Sequence, residues 1–407
     1  MTKSNKRKDT SGHVLRTGET QRANGSYEFR FTDANKTRHS FYAPTLAQLR
    51  EKEAEITSLQ QSGIDYAAGC MTVLELTERY VALKRGVSIN TRTGYNYVLG
   101  VLRREAFSQR KILSIHTSDA KLWFIHLYDS GLSFSTISCI RGVLKPAFAM
   151  AYDEDMVRRN PFCFRLDSII PNNSRKRVAL TAEQEKQFMD FVANDPYYSQ
   201  YWDEFNILLN TGLRISEFTG LTVSDLDFDK RQIKVDHQLV RTGTNSRYVT
   251  KTKTESGRRI IPMSDTVYRS LYHILERRPK PRREVMIDGY VGFLLLDRSD
   301  QPKVTMHIEH VVKRVWQKYN ETHTIPLPLI TPHVFRHTFC TRMAESGMEL
   351  KNLQYLMGHS DATVTLNVYM HNNYERAAES LSRIVSFSSD PLSSPPDEDP
   401  PAVRACP

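Results

Sequence analysis

Cysteine is scarce in this 407-residue chain. There are five, Cys70, Cys139, Cys163, Cys340 and Cys406, an odd and scattered set with no C-x-x-C pair. That pattern excludes a disulfide framework and a cysteine-based zinc site, and it fits reduced thiols in a cytosol. Long apolar runs are also missing: no stretch approaches the roughly 18 residues a membrane-spanning helix needs. The opening residues, MTKSNKRKDTSGH, are basic and polar and lack the apolar segment of a secretory signal. Clustered carboxylates that would hold magnesium are absent too. Asp225, Asp227 and Asp229 alternate in VSDLDFDKRQI, which reads as a loop entering a strand. No metal or other cofactor is therefore expected, and no internal repeat is evident. What the chain does have is positive charge, a formal net +10 with 40% apolar residues. Such an excess points to a polyanionic partner and says nothing of the fold. The length suggests two to four domains.

Residues 1–65 read as a small basic unit, with ten Lys/Arg against four Asp/Glu in the first fifty positions. A strand around HVLRTGETQR, a second in SYEFRFTD and a third in HSFYAP are separated by ANG and ANKTR turns. TLAQLREKEAEITSLQQ follows as a helix with Thr45 as N-cap. So meagre a core tolerates a polar sheet face if that face binds something. Arg16, Arg22, Arg30, Lys36 and Arg38 are available for it, a merely solvated face being the alternative. Residues 70–168 hold four segments with helical apolar spacing, TVLELTERYVALK, TRTGYNYVLGVLRREAF, TSDAKLWFIHLYDSG and SFSTISCIRGVLKPAFAMAYDEDMV, a pattern for a compact bundle. Arg92, Arg141 and Lys145 lie on it, each an ordinary surface charge unless their common sign matters. RNPFCFRLDSIIPNNSRKRVAL reads as a linker. A third unit, 175–385, opens with a capping-box pattern, Thr181 followed by Gln184, and continues with helices around a strand-rich middle. Residues 386–407, acidic and rich in Pro and Ser, read as a disordered tail.

Several polar groups of the third unit sit in apolar surroundings. TGLRISEF starts a helix at Arg214 with Glu217 three positions on; such an arginine is either paired internally or faces an anion. In KTESGRRIIP, Glu255 to Gly257 suit a hairpin turn, which places Lys253 on its rim, where most lysines are simply solvated. TPHVFRHTFC starts a helix at Thr331 and Pro332, and puts His333 and Arg336 one turn apart, able to point at one anion near a helix N-terminus. His337 points away by the same spacing. LMGHSDATVTLNVYMH adds His359 after a glycine and Tyr369 ten residues later; a lone tyrosine there is usually a packed aromatic.

In this order and spacing, TGLRISEF, KTESGRRIIP, TPHVFRHTF and LMGHSDATVTLNVY resemble the active-site boxes of the tyrosine recombinases, or phage-type integrases, over most of 175–385. The first two units resemble the arm-binding and core-binding domains of integrases from conjugative transposons. The resemblance implies an α+β multidomain protein: a three-stranded sheet with a helix, a helical core-binding bundle, and a mainly α catalytic domain with a small β-sheet. It implies that Arg214, Arg336, His333 and His359 hold a phosphate, with His333 helping to accept the tyrosine proton. Lys253 would be the general acid and Tyr369 the nucleophile that forms a 3′-phosphotyrosine. That bond stores the phosphodiester energy, so neither ATP nor metal is required. Family members act as four protomers on two DNA duplexes, through a Holliday junction, at core and arm sites. An excisionase or DNA-bending proteins are the further partners this implies, and a bacterial, DNA-associated cytoplasmic location the setting. Two other readings stay open on the residues: a type IB topoisomerase-like relaxase, and a DNA-binding regulator on a decayed catalytic fold.

Overall fold

The computed structural model describes residues 7–32, 38–66, 68–174, 178–243, 246–252, 255–361, 363, 365 and 366. The chain divides into two units, Met1–Arg175 and Lys176–Pro407.

The first unit begins with an antiparallel sheet, β1 (Glu19–Gln21), β2 (Tyr27–Thr32) and β3 (Arg38–Ala43), in that spatial order. Period-2 alternation sorts the strands. Tyr27 and Phe29 are buried with Ala43, Leu46 and Leu49 under α1 (Leu46–Gln61). Glu28, Arg30 and Thr32 face the other way, paired with Tyr42, Ser40 and Arg38. Thr45 caps α1 as expected, its side chain accepting from the Gln48 amide at 3.3 Å. The first strand is much shorter than HVLRTGETQR suggested. Glu19, fully buried, accepts from the Arg16 amide (2.6 Å) and from Arg50 Nε (3.0 Å), which turns the chain just before β1.

The bundle follows as α2 (Val73–Leu83), α3 (Ile89–Leu102), α4 (Thr117–Asp129) and α5 (Phe134–Asp153). Thr72, Ser88 and Ser133 cap α2, α3 and α5 with their hydroxyls. The second segment stops being helical at Leu102 rather than continuing to Phe107. Phe107 turns inward to stack on Trp123, ring centroids 4.5 Å apart, and Trp123 Nε1 donates to Glu105 (3.1 Å). The expected linker is also shorter than its composition implied. Phe162, Leu166 and Ile170 are buried in the bundle core, and Arg141 donates from Nε to the Phe162 carbonyl (3.3 Å) and from Nη2 to that of Phe164. Apolar residues outweighed the Asn, Pro and Ser around them.

The second unit runs α6 (Ala182–Asn194), α7 (Trp202–Thr211), α8 (Ile215–Gly220), β4 (Leu226–Asp227), β5 (Gln232–Val235), β6 (His237–Arg241), β7 (Arg247–Lys251), β8 (Arg259–Pro262), α9 (Asp265–Arg277), α10 (Thr305–Thr322), α11 (Pro332–Glu345) and α12 (Leu350–Met357). Thr181 and Gln184 form the expected capping box on α6. Phe188, Phe205 and Phe218 are fully buried in its core with Phe335. The Phe335 ring lies 5.7 Å from that of Phe188 and 5.6 Å from that of Phe205. This anchors the first turn of α11, at roughly 1.5–3 kcal/mol for a phenyl group removed from water.

The β segment corrects the hairpin expected at 255–257. β7 and β8 do not pair with each other. β8 pairs with β5, Val235 opposite Arg259, and β7 pairs with β6, His237 opposite Lys251. Both pairings lie along the nearly continuous run 232–241, so β7 and β8 do not flank a hairpin. Lys253 lies outside the described residues of the connection that joins them. Residues Glu255–Gly257 form a 3-10 turn within it.

Candidate active site

The C-terminus of α12 organises the site. A helix ends with four carbonyls that lack helical partners. Here Gly358 turns left-handed (φ 60°), so its amide donates to the Tyr355 carbonyl (3.0 Å) and that of His359 to Gln354 (3.2 Å). This is the glycine-dependent closure of a helix end. It leaves three successive carbonyls, and each accepts from a different arginine. Arg259 Nε donates to Leu356 O (2.6 Å), Arg336 Nη2 to Met357 O, and Arg214 Nη2 to Gly358 O (2.8 Å). The negative end of the helix dipole favours these cations.

Each arginine has a second anchor. Arg336, 4% exposed, donates from Nη1 to the Gly212 carbonyl (2.5 Å). Gly212 ends α7 with φ 63°, and a Cβ there would lie 2.5 Å from the Phe339 ring. Arg214, the residue before α8, donates from Nη1 to Glu217 Oε1 (2.7 Å) and from its amide to Oε2 (2.9 Å). Arg259 donates from Nη2 to Glu217 Oε2 (2.8 Å) and from Nη1 to Oε1 (3.2 Å). Of the two readings of Arg214, the internal carboxylate partner is present, and the side chain is also 38% exposed.

Two guanidinium groups, those of Arg214 and Arg259, thus bond one carboxylate, and Arg336 lies near enough to feel all three charges. Burial pushes the Glu217 carboxyl up, but hydrogen bonding and charge from Arg259, then Arg214, outweigh it and hold the group below its ordinary range. Burial, then Arg214 and Arg259, push Arg336 down to about 9, so it stays charged at neutral pH. His359 is pushed down to about 4, by burial first and then by Arg336, Arg214, Arg259 and His333. It is a neutral imidazole at pH 7, a hydrogen-bonding group rather than a further cation. Its Nδ1 lies 2.9 Å from the hydroxyl of the buried Thr365, which fixes the ring.

Thr331 caps α11, its hydroxyl accepting from the Val334 amide (3.3 Å), with Pro332 in the first helical position. The expected one-turn spacing of His333 and Arg336 holds, with unlike environments: Arg336 is buried and His333 exposed. Arg214, His333, Arg336 and His359 are brought together. Lys253 and Tyr369 lie outside the described residues. Arg259 and Thr365 are the participants that motif reading missed. Strand alternation carried a signal for Arg259, since it shares the buried face of β8 with Ile261, and an inward arginine demands a buried acid.

Among the described residues, Asp225, Asp236 and His237 bring metal-type donor atoms within 4.8 Å of one another. Their bonds run to each other, to the backbone, and to the side chains of Lys234 (2.8 Å from Asp236) and Thr222 (2.6 Å from Asp225). His237 Nδ1 is 2.7 Å from Asp236, its Nε2 is 2.8 Å from the Gly220 carbonyl, and Asp225 accepts from Thr222 N (2.8 Å).

The candidate DNA-binding residues of the first unit are divided. Arg30 and Arg38 share the outward sheet face with Tyr42, and the Arg22 guanidinium lies 5.0 Å from the Tyr42 ring centre. Arg30 is bonded to Glu28 (3.0 Å). Arg16 reaches Glu53 of α1 instead (3.4 Å), and Lys36 lies outside the described residues. On the bundle, Arg92 and Lys145 are exposed, whereas Arg141 is engaged with the carbonyls above. No helix among the described residues is long and apolar enough to cross a membrane.

Residues 179–376 match the phage integrase family, and residues 3–60 match the DNA-binding domain of Tn916 integrase. The chain is 39% identical over 394 residues to the transposase from transposon Tn916 of Enterococcus faecalis, covering 94% of this chain and 97% of that protein. The same identity and coverage relate it to the transposase from transposon Tn1545 of Streptococcus pneumoniae. Among solved structures, the Tn1549 transposon integrase in complex with a circular intermediate DNA is 38% identical. It covers 77% of this chain and 99% of its own, with a TM-score of 0.74. A lambda integrase tetramer bound to a Holliday junction shares the fold, at 17% identity and TM-score 0.52, covering 88% of this chain and 96% of its own.

Proposed function

From the premise that this chain belongs to the phage integrase family and is a tyrosine-type site-specific DNA recombinase, we propose which residues carry the strand transfer. Arg214 and Arg336 bind the non-bridging oxygens of the scissile phosphate. Each guanidinium has five donors and gives two to the contacts above, so a fork remains for an oxyanion. Neutral His359 donates a further hydrogen bond, and His333, at the N-terminus of α11, binds the same phosphate and helps take the phenol proton. Tyr369 attacks phosphorus; the P–O5′ bond breaks as the phosphotyrosine bond forms. Lys253 delivers the proton the 5′ oxygen needs. The site acts by charge already in position, so little reorganisation is needed as the transition state gains negative charge.

The observation that carries this reading is the seating of Arg214, Arg336 and Arg259 on three successive carbonyls beside His359. The domain division proposed is residues 1–65 on arm DNA, 70–168 on core DNA and 175–385 for catalysis, with 386–407 as a tail outside the described residues. Arg22, Arg30 and Arg38 contact arm DNA, and Arg92 and Lys145 core DNA. The likeness to an integrase held on circular intermediate DNA supports integration and excision of a mobile element as the biological task, carried out in the bacterial cytoplasm. Four protomers on DNA as the working assembly, with an excisionase or DNA-bending protein assisting, belong to the same proposal.

The test is a supercoiled plasmid carrying paired element ends, incubated in EDTA. Recombinant circles and a protein–DNA adduct resistant to denaturation are expected. Tyr369→Phe should bind the DNA and form no adduct. Relaxed topoisomers alone, or an adduct that persists in Tyr369→Phe, would overturn the assignment.

A further inference from the structure

We infer that Arg259 is a positioning residue for strand cleavage: it never meets the DNA, yet by sharing the Glu217 carboxylate it leaves Arg214 a net pull on the phosphate and keeps it correctly aimed. The inference rests on the reading that Arg214 binds the scissile phosphate. Arg259 is placed for such a role by its complete burial, its side chain being 0% exposed. Its donors reach Glu217 Oε2 (2.8 Å), Glu217 Oε1 (3.2 Å), Gly257 O (3.1 Å) and Leu356 O (2.6 Å). No face of the guanidinium is open to a substrate.

Its electrostatic effect passes through Glu217. Both oxygens of that carboxylate are shared, Oε1 between the two guanidinium groups and Oε2 between Arg259 and the Arg214 amide. With Arg259 present, two cations divide one anion, and Arg214, the exposed member, keeps positive potential toward solvent. Without Arg259, Glu217 and Arg214 would form a one-to-one pair, drawing the guanidinium inward and cancelling its charge.

Its steric effect passes through α12. A Cβ on Gly358 would lie 2.9 Å from Arg259 Nη1, so the guanidinium seats directly against the residue whose carbonyl holds Arg214. The bond to Leu356 ties the same turn down. Since β8 begins at Arg259, one side chain connects the strand following the Lys253 segment to Glu217 and to the turn bearing His359.

The experiment uses the full chain and an element-end duplex whose scissile group is either the natural phosphate or a methylphosphonate, which lacks the negative charge. Single-turnover adduct formation, DNA affinity and thermal midpoint are measured for Arg259→Met, Arg259→Lys, and Arg259→Met combined with Glu217→Gln. Arg259→Met should bind DNA nearly as the parent does and cleave the phosphate about 10²-fold more slowly, the scale of one lost oxyanion-binding group. On the methylphosphonate most of that deficit should vanish. The double variant, which frees Arg214 from its carboxylate, should regain part of the lost rate, and Arg259→Lys part of it by charge alone. Wild-type speed in Arg259→Met, equal deficits on both substrates, or a double variant no faster than the single would each overturn the inference. If Arg259→Met does not fold, Arg259→Lys and the double variant decide by the same comparison. Failure of the parent chain, or of Arg214→Met, to behave as phosphate-dependent would instead remove the reading of Arg214.

Discussion

Replacing Glu217 by glutamine tests the buried charge network directly. The carboxylate is 2% exposed and accepts four hydrogen bonds, two from Arg214 and two from Arg259. Glutamine keeps the shape and one acceptor but removes the charge, so Arg259 is left buried with no anion. Breaking a buried pair by removing one partner costs about 3–5 kcal/mol. Arg214 reaches water and its share is screened, which places the expected cost near the lower end, about 3 kcal/mol. At about 2–4 °C per kcal/mol for a domain of 150–250 residues, the thermal midpoint should fall by about 6–12 °C. The assay is thermal unfolding followed by circular dichroism from pH 7.5 to pH 3.5. The folded protein holds the Glu217 carboxyl below its ordinary value of 4.5. Its contribution is therefore complete above that value and is lost as pH falls through the folded-state value. The gap between parent and variant should be full near neutrality and narrow under acid. A drop of less than about 2 °C at pH 7.5, beneath the scale set by that conversion, or a gap unchanged down to pH 3.5, would refute the argument.

Three further outcomes are expected. Lys253→Ala should slow cleavage of an ordinary site and recover on a duplex with a 5′-bridging phosphorothiolate, whose leaving group needs no proton; no recovery would move the acid elsewhere. His359 is held neutral, pushed down to about 4 from 6.5, so its contribution is complete above pH 6.5 and declines from there toward 4. The midpoint of the parent chain should fall more steeply over that interval than that of His359→Asn, and parallel slopes would contradict it. Gly358→Ala places a Cβ 2.9 Å from Arg259 Nη1 and 3.1 Å from the Ser256 carbonyl at φ +60°. It should cost about 1–2 kcal/mol in backbone strain alone, read as a lower midpoint together with slower cleavage; an unchanged midpoint would argue against this geometry.

The parts of the site legible in the sequence are those written within one helical turn. Thr45, Thr181 and Thr331 cap helices because a hydroxyl reaches an amide two or three residues ahead. The i, i+3 spacing of His333 and Arg336, and of Arg214 and Glu217, follows from the same geometry. What the sequence does not show involves distant partners. Arg259 and Glu217 are 42 residues apart. The RNPFCF stretch has the composition of a linker, yet Phe162 lies in the bundle core, and a Gly-containing turn suits a hairpin whose flanking strands pair elsewhere.

The sequence by itself determined the order of the boxes, the family, the helix starts and the sign of the charge, since each depends on residue identity or on spacing of a few positions. Only the tertiary structure decided which charges are shared, which are buried and which histidine is neutral. Those properties depend on how far apart distant groups end up and how much water remains between them. The meeting of Arg259, Arg336 and Arg214 on Leu356, Met357 and Gly358 exists only once three separate segments have packed around one helix end.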